Sequence, residues 1–180
     1  MSSQSRSRLI YFDNAATTFP KPPGVVEAVT KYMLETGGNP GRSGHRLSVE
    51  AGNTVFGARE KLAKLFGVSS PMRVLFASNA TDALNTAIQG MLADGGHAVT
   101  TSMEHNSCVR PLDALKRQGR ADYTIVSASP EGALDPDDVK KAIRPDTRLV
   151  AINHGSNVFG TVQPVREIGL VCRGMGVPFL

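Results

Sequence analysis

Tryptophan is absent from this 180-residue chain, aromatic residues make up only 6% of it, and cysteine occurs twice. The two cysteines, Cys108 and Cys172, are far apart and form no CxxC pair, which argues against a disulfide framework. No apolar run is long enough to cross a membrane, and the polar first residues lack the apolar core of a signal peptide. These absences favour a cytoplasmic protein with reduced, buried thiols.

Basic residues do not form a patch. The formal net charge of +4 is spread along the chain, and lysines and arginines do not cluster around aromatic side chains, which argues against nucleic-acid binding. His45 and His154 have no metal-ligand spacing with each other or with a cysteine, so the pattern excludes a zinc site. A hydrophobic content of 41% and a charged content of 20% are typical of a globular protein.

Strand-like and helix-like stretches alternate along the chain. A helix opened by Pro22-Pro23 runs to residue 36, and a second helix covers 48–66. The patterns further predict strands at 9–12, 73–77, 98–101, 123–126 and 149–153, and helices at 81–92, 107–118, 136–143 and 165–173. This alternation predicts an α/β fold, with a mostly parallel sheet and flanking helices. Ligands of such sheets bind at the carboxyl ends of the strands.

One polar turn has the character of a phosphate site. Apolar residues lead into Ser78 and Asn79, and a helix then begins near Thr81. A helix start leaves backbone N–H groups unpaired and carries a partial positive charge, so it can hold a phosphate, to which Thr81 would add a hydroxyl donor. Ser, Asn and Thr also cap ordinary helices, so the turn alone allows either interpretation.

Two further polar turns follow strand-like runs, around His105 and around Asn157. Taken singly, His105 fits a helix start or a surface position, and Asn157 fits a turn beside a glycine. Glu104 is interpreted as a solvated loop residue and His97 as an exposed one. Because the turns all follow strands, we expect Thr81, His105 and Asn157 to converge in one crevice.

Taken together, these stretches resemble the cysteine desulfurase and selenocysteine lyase branch of the class V aminotransferase-like enzymes. Those enzymes depend on pyridoxal 5′-phosphate (PLP), and they have the PLP-dependent transferase fold of type I. The resemblance covers nearly everything after the first ten residues. Its motifs are YFDNAATT (11–18), GNPGRSGH (38–45), SNATDALN (78–85), EHNS (104–107), SNVFGTVQP (156–164) and GVPFL (176–180).

The resemblance implies a role for each matched residue of the cofactor site. Ala80 and Thr81 would bind the PLP phosphate. His105 would stack on the pyridine ring and help to move protons, and Asn157 would hydrogen-bond the phenolic oxygen. Asp82 stands where the family usually has glutamate, which keeps the negative charge in the first turn of the helix.

On the substrate side, the resemblance implies that Asn14 lies near the substrate carboxylate. Arg42 and His45 match loop residues that lie near the active site in the family's homodimers. L-cysteine, or its selenium analogue selenocysteine, would be the substrate, and a sulfur-acceptor protein is a further partner that the family suggests.

Several residues that the family requires have no match here. These are an aspartate that pairs with the pyridine nitrogen, the Schiff-base lysine, a cysteine on a mobile loop and an arginine for the substrate carboxylate. None of the seven lysines matches the expected position, and both cysteines are assigned to packing. We therefore expect an N-terminal portion that is inactive alone. An N-terminal arm would cover 1–20, and 21–180 would be the first half of an incomplete PLP-binding large domain.

The reaction implied for the complete enzyme is the removal of sulfur from L-cysteine, which leaves L-alanine and an enzyme persulfide. Two alternatives stay open. One is another class V reaction, such as transamination or elimination, which the absence of a loop cysteine in the complete protein would favour. The other is a non-catalytic binding or assembly module, which a natural stop codon after Leu180 would favour.

Overall fold

The computed structural model describes residues 9–41 and 44–180. By their contacts, these residues divide into two compact units, of which the first ends at Phe76 and the second comprises Ala77–Leu180. Within the described ranges, no helix is both long and apolar enough to span a membrane.

Two helices dominate the described part of the first unit. Helix α1 spans Pro23–Glu35 and begins with a proline, as expected at a position where no N–H is needed. Helix α2 spans Arg46–Phe66 and ends at Gly67, whose φ of 65° is left-handed and suits a residue without a Cβ. Both predicted helices are confirmed, although α2 begins two residues earlier than predicted.

Two predicted strands in this part of the chain are not formed. Residues 9–12 and 74–77 have no regular structure, and Pro71–Arg73 forms a 3-10 turn. Val74 donates its N–H to the carbonyl of Pro71 at 3.1 Å, so this group bonds within the turn and not to a neighbouring strand. Leu75 is 80% exposed. The strand predictions were wrong because an apolar run does not by itself supply a partner strand.

The second unit is built on a parallel sheet, which confirms the predicted fold class. Strand β1 spans His97–Thr101, β2 spans Asp122–Val126 and β3 spans Thr147–Val150. The strand order is β2-β1-β3, and both neighbouring pairs are parallel. Beside β3, Phe179 forms a parallel bridge with Val150.

Helices cover both faces of this sheet. Because side chains alternate along a strand, Ala98 and Leu149 pack with α3 and α4, whereas Val99 and Val150 pack with α5 and α6. The two cysteines are buried free thiols, one in each cluster. The helices are α3 (Ala80–Met91), α4 (Asn106–Arg117), α5 (Pro136–Ala142) and α6 (Val165–Gly174).

His97 is completely buried, so the expectation that it is exposed was wrong. Its Nδ1 lies 2.8 Å from Thr147 Oγ1 and its Nε2 lies 2.9 Å from Thr124 Oγ1. The glycine turn that suggested exposure ends at Gly96, where φ is 101°, and His97 already begins the central strand. Burial lowers the pKa of His97, and the positive charge of Arg144 lowers it further.

Candidate functional site

A reciprocal cap shapes the start of α3. The Asn79 side chain accepts a hydrogen bond from the Asp82 N–H at 2.9 Å, and the Asp82 carboxylate accepts one from the Ser78 N–H at 3.2 Å. This is the arrangement by which side chains satisfy some of the unpaired donors at a helix start. The acid in the first turn therefore serves the cap.

The cap leaves the first two helical donors available. The N–H groups of Ala80 and Thr81, and the Thr81 hydroxyl, have no hydrogen-bond partner among the described residues, and Thr81 is exposed. Two backbone N–H groups and a hydroxyl at the positive end of a helix are the donors that a phosphate monoester binds. The residues present therefore fit the phosphate of PLP.

A cavity of about 170 Å³ lies at the carboxyl ends of β1 and β3, where a parallel sheet binds its ligands. One wall comes from the β1–α4 connection and the start of α4, a second from the segment after β3, and α3 adds one residue. The lining residues are Leu84, Glu104, His105, Ser107, Cys108, Ala151, Ile152, Asn153, His154 and Leu180.

His105 lines this cavity and caps α4. Its Nδ1 accepts the N–H of Ser107 at 3.1 Å and lies 2.7 Å from the Ser107 hydroxyl. Since Nδ1 is an acceptor, the proton of the neutral imidazole is assigned to Nε2. Capping thus fixes the ring at the cavity and leaves Nε2–H as the group that can meet a ligand.

Glu104 is half-buried and hydrogen-bonded, so its interpretation as a solvated loop residue was wrong. Its Oε1 accepts the hydroxyl of Thr101 and the N–H of Asn153, each at 2.8 Å. Burial raises the pKa of Glu104, and the two hydrogen bonds oppose that rise. The carboxylate therefore joins the end of β1 to the backbone after β3.

Cys108 also lines the cavity, yet its environment makes it a poor nucleophile. Burial, followed by the nearby charge of Glu104, raises the pKa of the Cys108 thiol to about 11. The sulfur lies 3.7 Å from the hydroxyl of Thr100. Because the thiolate is the reactive form of cysteine, these values agree with the packing role assigned to Cys108.

Asn157 lies in an exposed turn of the loop that leaves the cavity after β3. A bridge between Gly155 and Val162 closes the loop, and the Ser156 hydroxyl accepts the N–H of Phe159 at 3.1 Å. The turn is thus built by its neighbours, and the Asn157 side chain has no hydrogen-bond partner in the described part of the chain.

Of the residues expected to converge, only His105 lines the 170 Å³ cavity. Thr81 lies at the start of α3, whose Leu84 is one of the lining residues, and Asn157 lies three residues beyond the lining residue His154. Their convergence around one ligand stays a prediction.

The remaining predicted site residues belong to the first unit. The Asn14 side chain accepts the N–H of Phe19 at 3.2 Å, and His45 caps α2 by accepting the N–H of Ser48 at 3.2 Å. Arg42 falls outside the described residues. Both hydrogen bonds join residues that are close in the sequence, and the substrate role of Asn14 and His45 stays a prediction.

Sequence reasoning assigned no ligand role to several cavity residues, among them Asn153 and His154. Thr101 and Glu104 have the Thr-x-x-Glu spacing that is typical of a helix start. This spacing was a local signal that the Glu104 carboxylate is hydrogen-bonded. Across the described residues, no group of three or more His, Cys, Asp or Glu side chains is arranged to hold a metal ion.

The family described as "Aminotransferase class-V" matches residues 10–180. The chain belongs to the class-V aminotransferase family. This class-V chain is 40% identical over 174 residues to the protein named "Cysteine desulfurase IscS" from Anaeromyxobacter sp. (strain K). The aligned region covers 94% of this chain and 42% of that relative. It is also 36% identical over 176 residues to the protein named "Cysteine desulfurase IscS" from Dictyoglomus turgidum, and that aligned region covers 96% of this chain and 44% of the relative.

Solved structures resemble this class-V chain to a similar degree. The structure titled "Apo structure of Cysteine Desulfurase from Thermococcus onnurineus NA1" matches with a TM-score of 0.86 and 33% identity, covering 95% of this chain and 43% of that one. "SspA in complex with cysteine" matches with a TM-score of 0.86 and 34% identity, covering 95% and 49%. The class-V chain thus spans less than half the length of these relatives.

Proposed function

We propose that this chain supplies the phosphate- and ring-binding part of a PLP-dependent cysteine desulfurase. One observation carries the proposal: unpaired N–H groups of Ala80 and Thr81 begin the helix beside a cavity in which His105 is held by its own cap. The relatives named cysteine desulfurase, and the related structure with bound cysteine, supply the substrate class.

In this proposal, the start of α3 binds the cofactor phosphate. The N–H groups of Ala80 and Thr81 and the Thr81 hydroxyl donate to phosphate oxygens, and the helix dipole adds a favourable field. Asn79 and Asp82 keep the first turn in place, so the donors do not have to reorganise when the phosphate arrives.

His105 and Asn157 act on the cofactor ring. The imidazole of His105 packs against the ring and helps to move protons at the substrate amine and Cα, with Nε2–H as the group that faces the ligand. The amide of Asn157 donates to the phenolic oxygen and orients the ring. When bound, PLP supplies the electron sink that makes carbanion chemistry at Cα accessible.

The complete enzyme would act on L-cysteine or selenocysteine and release alanine. Following the family resemblance, we propose a homodimer of the longer protein, a sulfur-acceptor protein as partner and a cytoplasmic location. The arm at 1–20 and the large-domain segment at 21–180, with Asn14 and His45 on the substrate side, belong to the same proposal.

A titration of the purified chain with PLP, followed by cofactor absorption, tests the phosphate site. Replacing Thr81 with alanine removes one hydrogen bond to a charged group, worth about 1.5–3 kcal/mol, so T81A should bind PLP about 10- to 150-fold more weakly. T86A is the matched control, because Thr86 is an exposed threonine of the same helix whose hydroxyl bonds the Asp82 carbonyl at 2.9 Å.

Equal PLP affinities of T81A, T86A and the parent would contradict the phosphate role of Thr81. A sulfide-release assay with L-cysteine accompanies the titration. Because no lysine matches the family's position, we expect the 180-residue chain to bind PLP without covalent attachment and to release no sulfide. A borohydride-reducible band together with turnover would refute that expectation.

A further inference from the structure

Glu104 connects two segments that lie far apart in the sequence. Through Oε1 it accepts the Thr101 hydroxyl, at the end of β1, and the Asn153 N–H, just after β3, each at 2.8 Å. A single half-buried side chain thus joins both strand ends at the wall of the cavity.

Each of these segments carries a proposed cofactor contact. His105 directly follows Glu104, and Asn157 lies four residues beyond Asn153. The bond that caps His105 is local, to Ser107, so it orients the ring relative to α4 but does not tie that ring to β3. Among the described contacts of this loop, the Glu104 carboxylate makes the side-chain bond that reaches the segment after β3.

We propose that Glu104 is a positioning residue that ties the segment carrying His105 to the segment leading to Asn157. It does not touch the reacting atoms. It sets the spacing of two ring contacts that come from different strands, and a shift of about 1 Å at such contacts is enough to impair catalysis. This inference rests on the proposed function, since His105 and Asn157 are its ring contacts.

Glu104 positions the two segments through the length of its side chain and its acceptor oxygen, and not through its negative charge. Glutamine has the same length as glutamate and keeps a carbonyl oxygen that can accept both bonds. Burial already disfavours the charged form of Glu104, so the neutral amide suits the site. Aspartate keeps the charge but is one methylene shorter, so its carboxylate falls short of the Asn153 N–H.

The test compares E104Q and E104D with the parent 180-residue chain, and uses E131Q at an exposed glutamate of the same unit as the control. Amide hydrogen exchange at Asn153 and the NMR shifts of the His105 ring nitrogens and the Asn157 amide are measured without cofactor. In E104D the Asn153 amide should exchange about 10-fold faster or more, and both sets of shifts should move. In E104Q and E131Q the exchange rate of the Asn153 amide should match that of the parent within about twofold, and the His105 and Asn157 shifts should stay in place.

Faster exchange of the Asn153 amide, or moved His105 and Asn157 shifts, in E104Q would overturn the proposal whether or not E104D folds, because the negative charge of Glu104 would then be the important property. Parent-like signatures in E104D overturn it as well. A PLP titration of the same variants separates this inference from the proposed function. If the parent binds no PLP, the cofactor role fails, and the exchange and shift data still decide whether Glu104 ties the two segments together.

Discussion

Replacing His97 with alanine should lower the stability of the second unit by about 2–4 kcal/mol at pH 7.5. The substitution removes two hydrogen bonds, each worth about 0.5–1.5 kcal/mol, and leaves a void in a fully buried position. Thr147 keeps part of its bonding, because its hydroxyl oxygen also accepts the Arg144 N–H at 2.7 Å, which limits the penalty.

The size of this effect should depend on pH. The pKa of His97 is lowered in the fold, first by burial and then by Arg144, so the unfolded chain takes up the proton more readily than the folded one. The parent therefore loses stability as the pH falls below about 6.5, at up to about 1.4 kcal/mol per pH unit, until the pH passes the folded pKa. H97A has no such proton to bind, so the difference between parent and variant should shrink as the pH falls.

Urea unfolding followed by far-ultraviolet circular dichroism at pH 7.5 and pH 5.5 measures both effects. H154A, which removes an exposed histidine of the same unit, is the matched control for the loss of an imidazole. A stability difference between parent and H97A that stays constant or grows on acidification would refute the reasoning.

Three further predictions concern the two buried thiols, Ser107 and Gly38. Cys108 and Cys172 should react with a thiol reagent at pH 8 much more slowly in the folded chain than in urea, because burial raises the pKa of both thiols; equal rates would contradict this. S107A removes the hydroxyl that lies 2.7 Å from His105 Nδ1 but keeps the capping N–H, so it should lower the stability by about 0.5–1.5 kcal/mol in thermal unfolding and shift the His105 ring resonances; unchanged resonances would contradict the hydroxyl contact. G38A should lower the melting temperature, because the new Cβ would lie 2.5 Å from a backbone oxygen; an unchanged value would show that the loop relaxes.

The sequence revealed those parts of the fold and site that depend on neighbouring residues. The start of α3 was recognisable because Asn79, Thr81 and Asp82 are adjacent in the chain, and helix starts depend on such local signals. The alternation of strands and helices likewise identified the parallel sheet, because each element carries its own hydrophobic period.

The predictions failed where a residue's environment comes from distant segments. His97 is buried between threonines 27 and 50 residues away, and Glu104 bonds a backbone group 49 residues away. No local pattern contains those partners. The strand predicted at 73–77 failed for a related reason, since pairing depends on a neighbouring strand and not on the apolar run alone.

Chemical-shift mapping of the chain with two ligands tests the central claim, that these residues hold PLP, most directly. Inorganic phosphate should shift the amides of Ala80 and Thr81 alone, because it occupies only the start of α3. PLP should shift the same amides and, in addition, the resonances of His105 and Asn157, because its ring reaches them. Shifts confined to other surfaces, or PLP changes that spare His105 and Asn157, would contradict the account.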